Sequence, residues 1–395
     1  SGGRTLEKYT FSTYLPMKRY LAIFAALLVG LASHAGEEAW WQSFGDSLLD
    51  SLVARGLDAN YELGAAVRRV EIARASVGQA KSAYYPTIGI SAGWGLTGIS
   101  GVAESGHAAD ASHTSAFTGE ATASWEPDVF GKITRQVKAR KADVKVSRAE
   151  YEGVRLSIAA AIVSAYISLR ESQAQHAVAE EHTKSQAHVL EMVEARFEAG
   201  LASKLEVAQA KTVYYSTKAQ IPLLLSDTES YLNALGVLLA CERDSLPAGV
   251  AAPGSMPPYA QVIPAEVSMD LVRRRPDVAQ AQATIESAAA ALGIARSDYL
   301  PTLTIQGSIG TQAHRAGDLF SSRSLTYSVV PTLSWTVFDG LSRRFAGIAA
   351  REQMEADVAL YNQTVLTAVE EARNAISSYT RSVEYIDNLE SVIEQ

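Results

Sequence analysis

Hydrophobic positions along the chain follow two different periods, and the switches between them are abrupt. Residues 48–83 place Leu52, Leu57, Leu63, Val67, Val70 and Val77 at spacings of three to seven, which predicts a helix. Pro86 ends it, because proline pushes the preceding Tyr85 into extended geometry. Strict alternation follows: Ile88, Ile90, Ala92, Trp94 and Leu96 against Thr87, Gly89, Ser91, Gly93 and Gly95. After a Gly/Ser/Ala-rich loop at about 98–112, a second alternating run sets Phe117, Ala121, Ala123 and Trp125 against Thr118, Glu120, Thr122 and Ser124. Gly131 then opens a stretch, 132–198, with no proline and only Gly153 as a weak point. As one helix it would span roughly 100 Å. Gly200 punctuates it, and a returning helix is expected over 203–240 with a kink at Pro222.

The plan then recurs. Pro247, Pro253, Pro257, Pro258 and Pro264 mark a connector over 241–265. Pro276 suits the first position of a helix and Asp277 its positive end. That helix is expected to reach Leu300, where Pro301 hands over to a strand over 301–311. Leu303, Ile305 and Ile309 face one way, and Thr302, Thr304, Gln306 and Ser308 the other. After a polar loop, 312–323, a last strand alternates from Ser324 to Val337, and Gly340 opens a second long helix to the end. Shifted by 215, Ser82, Tyr84, Pro86, Thr87, Ile90 and Gly95 fall on Ser297, Tyr299, Pro301, Thr302, Ile305 and Gly310. Trp125 and Trp335 match at 210. The expected organisation is therefore an upstream segment and leader (1–35), a first helix–strand–strand–helix half (36–240), the connector (241–265) and a second half (266–395).

Each strand pairs an apolar face with a Thr/Ser/Gly face. A transmembrane barrel wall has this pattern, apolar toward lipid and polar toward a wet lumen. A soluble sandwich with its polar face in water has it too. A lipid-embedded sheet must close, and four strands are too few to enclose an open lumen. The barrel reading therefore requires strands shared between copies, and three copies would supply twelve. The Ala-rich long helices, such as residues 157–163, permit close approach. Helical hairpins side by side could form a hollow cylinder, or a plain coiled-coil scaffold.

Composition narrows the choices. The chain has 395 residues and a net charge of -8 with no large basic block, which argues against nucleic acid as a partner. No internal run reaches the roughly 18 apolar residues of a membrane-spanning helix. Met17-Lys18-Arg19, the apolar run from Tyr20 to Leu31, and Ser33-His34-Ala35 read as a cleavable leader with cleavage after Ala35. Residues 1–16 precede Met17, the expected start, and read as upstream sequence. Cys241 is the only cysteine, so no internal disulfide exists and a packed or loop thiol is expected. The seven histidines are scattered, and His176, His182 and His188, six apart, do not keep one helical face. No catalytic constellation, metal spacing or phosphate loop is present, so the sequence points to no enzyme and no cofactor.

Several spaced motifs then coincide. Arg274-Arg275-Pro276-Asp277, GIARSDYLP (293–301), WEPDVFGK (125–132), WTVFDG (335–340) and RFEAGLASKLEVAQA (196–210) together resemble the TolC-like outer-membrane efflux protein family, over about residues 40–395. The branch it resembles works with resistance-nodulation-division pumps. The resemblance implies an α+β membrane protein with four strands per protomer. A homotrimer would form a twelve-stranded outer-membrane barrel continuous with a periplasmic α-barrel. Such a protein is a passive exit duct for small molecules, in the outer membrane with a long periplasmic extension. Its implied partners are outer-membrane lipid, a periplasmic adaptor (membrane fusion protein) and an inner-membrane pump.

Carried over residue by residue, the adaptor-binding tip would be Gly200, Leu201 and Ser203, with Arg196, Phe197 and Leu205 shaping the turn. Gly200 would equally serve as a helix C-cap. Pro86, Pro301, Gly131 and Gly340 would mark the helix–strand junctions. The family continues through a second tip turn and a returning helix, whereas this sequence ends at Gln395, and it carries no lipid-attachment cysteine after the leader. Glu191, Glu194 and Glu198 share one helical face. They form either a lumen stripe favouring cations or a solvated outer face. Arg273, Arg274 and Arg275 either bind lipid phosphate or fix the connector to the second-half helix. The other function class is a pore-free periplasmic coiled-coil protein, or a non-functional truncated relative.

Overall fold

Local capping residues divide the predicted helices more finely than periodicity does. The computed structural model of the protein describes residues 39–99, 112–257 and 269–394. The leader, the loop tip after the first strand and part of the Pro-rich connector lie outside them. Among the described residues the first element is a 3-10 turn, Trp40–Phe44, followed by α1 (Ser47–Ala59) and α2 (Tyr61–Ser82). The single helix expected over 48–83 is thus two. Asn60 is the cause. Its Oδ1 accepts from the Glu62 and Leu63 amides at 2.9 and 3.2 Å, restarting the helix. Its Nδ2 donates to the Leu238 carbonyl at 3.0 Å.

Apart from one short helical turn, Ala248–Ala251, and further 3-10 turns, the other elements are β1 (Thr87–Ile99), β2 (Ser112–Trp125), α3 (Lys132–Glu198), α4 (Lys204–Lys218), α5 (Ile221–Leu238), α6 (Met269–Arg274), α7 (Pro276–Ser297), β3 (Thr302–Ala313), β4 (Leu325–Ser334) and α8 (Ser342–Glu394). The helix expected over 203–240 is not kinked at Pro222 but divided just before it. Pro222 sits in the first turn of α5, where its missing N–H costs nothing. β4 ends at Ser334, short of the expected Val337.

Contacts within the chain define two units that cut across sequence order. One comprises the described residues of Ser1–Val70, Ser147–Ala281 and Tyr361–Gln395; the other comprises Glu71–Val146 and Gln282–Leu360.

The first unit holds the main apolar core. Leu49, Leu52 and Val53 of α1 meet Ile158, Ile162, Val163, Tyr166 and Leu169 of α3 and Leu232, Leu235 and Leu239 at α5, with Trp40 and Phe44 alongside. Burying each large aliphatic group stabilises by about 1.5–3 kcal/mol. An 18-residue window within α3 is apolar enough by length and composition to cross a membrane, contrary to the sequence reading. Its apolarity has another use, because Ile158, Ala159, Ile162, Val163, Tyr166 and Ile167 are buried in this core.

Two polar features tie the core together. Asp46 caps α1 through Leu48 and Leu49, and its Oδ2 accepts from the Tyr166 hydroxyl at 2.7 Å. Arg170, 4% exposed, donates to the Ala252 and Gly249 carbonyls at 2.7 and 2.8 Å, which holds the start of the connector against α3. Cys241 is half-buried and packs at the edge of the same core. Of the arginine triplet, Arg275 makes the fastening. It bridges Asp277 at 2.8 Å and Glu371 of α8 at 2.7 Å.

The second unit holds the sheet, antiparallel throughout, in the order β1-β2-β3-β4. Pairs such as Trp94↔Phe117, Ala121↔Ile309 and Ile309↔Tyr327 set its register.

Candidate functional site

The register sorts side chains onto two faces. On one, Ile90, Ala121, Ile309 and Tyr327 form a continuous row, as do Trp125, Ile305 and Pro331. This apolar face is uncovered in the single chain: Ile90 is 87% exposed, Tyr327 79% and Val329 72%. On the other face, Gly89, Thr122, Ser308 and Ser328 share a row, and the Ser308 and Ser328 hydroxyls lie 3.0 Å apart. A soluble sandwich would bury the apolar face. Here it stands bare, and among the described residues β1 and β4 each have one edge without a partner strand.

Each strand pair is tied to the helix that leads into it by the same construction. At the first junction the Trp125 indole donates to the Tyr84 carbonyl at 3.0 Å; at the second Trp335 donates to Tyr299 at 3.1 Å. Each tyrosine lies two residues before its proline, Pro86 or Pro301, so the bond pins the incoming helix end beside the outgoing strand. Gly131 and Gly340 adopt φ of +74° and +66°, a conformation that side chains disfavour, and turn the chain into α3 and toward α8. Asp128 and Asp339, which sequence reasoning did not single out, finish the turns. Asp128 Oδ1 accepts from the Ile133 amide and Oδ2 from the Thr134 amide, both at 2.9 Å. Burial pushes its carboxyl up, but these bonds and Arg135 outweigh it and hold the group below its ordinary value. Asp339 accepts from Arg343 Nε at 2.7 Å, which lowers its pKa. Arg343 also donates to the Asp298 carbonyl at 3.1 Å and to that of Thr336. The signal that could have found them is an Asp ahead of a helix start, a preferred capping residue.

In the first unit, α3 turns into α4 at the predicted tip. Gly200 has φ +74°. Its amide bonds the Phe197 carbonyl at 2.9 Å, and the Leu201 amide bonds that of Arg196 at 2.8 Å, a Schellman closure. Ser203 starts α4 with a capping box: its Oγ accepts from Glu206, whose side chain accepts from the Ser203 amide. Leu201 and Leu205 are 70% and 66% exposed, and Phe197 is also exposed. The turn is closed by hydrogen bonds on both sides and exposes apolar side chains.

The three glutamates of α3 have different surroundings. Glu194 pairs with Lys211 of α4 at 2.9 Å, and that hydrogen bond raises the lysine pKa. Glu191 lies 3.6 Å from His188. His34 and His107 fall outside the described residues. Among the described residues no group of three or more His, Cys, Asp or Glu could hold a metal ion.

A four-stranded sheet with lipid-compatible and water-compatible faces, hinged to long helices, defines a class: a wall segment of an outer-membrane channel. The chain matches the family model described as outer membrane efflux protein over residues 52–240 and 267–393, and it belongs to that family. Nodulation protein T of Rhizobium leguminosarum bv. viciae is 29% identical over 362 residues, covering 90% of this chain and 72% of that protein. The pyoverdine export outer membrane protein OpmQ of Pseudomonas aeruginosa is 29% identical over 365 residues, covering 91% and 74% respectively. Among solved structures, the outer-membrane channel OprN superposes with a TM-score of 0.83 at 28% identity, covering 91% of this chain and 79% of that one. The chain is thus an outer-membrane efflux channel protein, an exit duct that lies in the outer membrane with a periplasmic helical extension.

Proposed function

We propose that three copies of the chain close a twelve-stranded barrel and act as the passive outer-membrane duct of a tripartite efflux system. The observation that carries this is the sheet, with its uncovered apolar face and its free β1 and β4 edges. Lipid cannot satisfy an open edge, so β4 of one copy must meet β1 of the next. The two halves, 36–240 and 266–395, are two uses of one plan joined by the connector 241–265, and the paired Trp125–Tyr84 and Trp335–Tyr299 bonds support this.

The cargo class is small organic molecules, in keeping with relatives named for pyoverdine export and toluene efflux. An inner-membrane pump supplies energy. A periplasmic adaptor docks on the tip through Leu201 and Ser203, with Gly200, Arg196, Phe197 and Leu205 holding its shape. For Glu191, Glu194 and Glu198, the solvated-face reading is favoured over the lumen stripe, because Lys211 already pairs with Glu194.

Fractionation with unheated gel electrophoresis tests the duct. The protein should sediment with outer membrane and run as an SDS-resistant trimer. Recovery as a soluble periplasmic monomer would instead support the pore-free coiled-coil reading.

A further inference from the structure

The sheet bears a single formal charge. Across Thr87–Ile99, Ser112–Trp125, Thr302–Ala313 and Leu325–Ser334, Glu120 is the only Asp, Glu, Lys or Arg. It stands on the Thr/Ser/Gly face of β2, opposite Ser91 on β1 and Gly310 on β3. Thr326 continues the row on β4. Glu120 is exposed, and it makes no hydrogen bond or ion pair among the described residues. The position opposite must be small: a Cβ on Gly310 would come 2.5 Å from the Gly119 carbonyl oxygen and 3.1 Å from the Glu120 Cβ. The carboxylate is therefore flanked by serine and glycine, and among the described residues no ion pair neutralises it.

We propose that Glu120 faces the lumen and that its three copies form a carboxylate ring giving this barrel a preference for cations over anions. The proposal rests on the three-copy duct described above. Its physical basis is the field of fixed charge in a narrow wet pore, the device by which lumen residues set channel selectivity. With three charges about 10 Å from the axis in water, and a Debye length of about 10 Å at 0.1 M salt, cations are enriched about twofold and anions depleted about twofold. The cation-to-anion permeability ratio then owes a factor of about five to the ring, and more at lower salt as screening weakens.

Planar-bilayer recordings under a salt gradient test this on purified wild type, Glu120→Gln and Glu120→Lys, each first shown to be an SDS-resistant oligomer. The ratio should fall about fivefold in Glu120→Gln and further in Glu120→Lys, with a larger gap at 0.01 M than at 0.1 M salt. Wall orientation is read independently in a Cys241→Ser background. A water-soluble methanethiosulfonate should label Glu120→Cys and spare Ala121→Cys, which lies on the apolar face. A conducting wild type whose selectivity is unchanged in both charge variants, or whose Glu120→Cys resists labelling, overturns the ring and leaves the duct intact. A wild type that forms no conducting oligomer overturns the duct, and the ring with it.

Discussion

Gly56→Ala should destabilise this protein, although helix propensity alone says the opposite. On an exposed helix the change favours Ala by about 1 kcal/mol. Gly56, however, lies buried in α1 where it crosses α3. A Cβ there would come 2.2 Å from Ile162 Cδ1 and 3.4 Å from Leu239 Cδ2. Ile162 and Leu239 are 0% and 1% exposed, so neither side chain can swing into solvent. Overpacking of this kind costs about 1–3 kcal/mol, which leaves a net loss of up to about 2 kcal/mol after the propensity gain.

The clash is with one methyl group, which makes the reasoning testable by a double-mutant cycle. Ile162→Val deletes that Cδ1 and by itself should cost about 0.5–1.5 kcal/mol. Combined with Gly56→Ala it should cost less than the sum, by about 1 kcal/mol. The measurement is denaturant unfolding of the detergent-solubilised protein, followed by the helical circular dichroism signal. If Gly56→Ala raised the midpoint, or if the two changes simply added, the packing argument would be refuted.

Three further outcomes follow from the same geometry. Asp46→Ala removes the cap of α1, worth about 1 kcal/mol, and strands the buried Tyr166 hydroxyl at about 1–3 kcal/mol more; unfolding should register about 2–4 kcal/mol, and adding Tyr166→Phe should recover part of it. Burial raises the Asp277 carboxyl, but its bonds to Arg275 prevail and hold it below its ordinary 3.8, so its stabilisation is complete above that value and lost as pH falls through the lowered one. Acid titration of Asp277→Asn should therefore show a shallower loss of stability below pH 3.8 than wild type. Gly310→Ala forces a Cβ to 2.5 Å from the Gly119 carbonyl oxygen, so β2 and β3 must part, and the heat-modifiable, folded fraction in outer membranes should drop sharply.

Much of this architecture was legible because its signals are local. Period-two alternation requires a pleated strand whatever surrounds it, and the prediction of strands near 87–96 and 302–311 needed nothing from elsewhere in the chain. The unbroken stretch 132–198 is a helix from Lys132 to Glu198, and Gly200 closes it by the left-handed geometry that glycine adopts most easily. The family followed from motifs that mark these junctions.

What stayed hidden depended on partners distant in sequence. Asn60 looks like any polar residue in a helical pattern. It caps the second helix, and its side-chain amide is held by the Leu238 carbonyl, 178 residues away. The alternation of the last strand continues to Val337, yet β4 stops at Ser334, where Trp335 is bonded to Tyr299 and Arg343 to the Thr336 carbonyl. Glu194 belongs to an acidic stripe on paper and to a cross-hairpin ion pair in space. The sequence by itself therefore determined the elements, their two-faced character and the family. Only the tertiary structure decided that β2 lies against β3, that Glu120 sits opposite a glycine, and that Gly56 has no room for a methyl group. Periodicity and caps act over a few residues. Register and packing are settled by whichever distant segment closes against them.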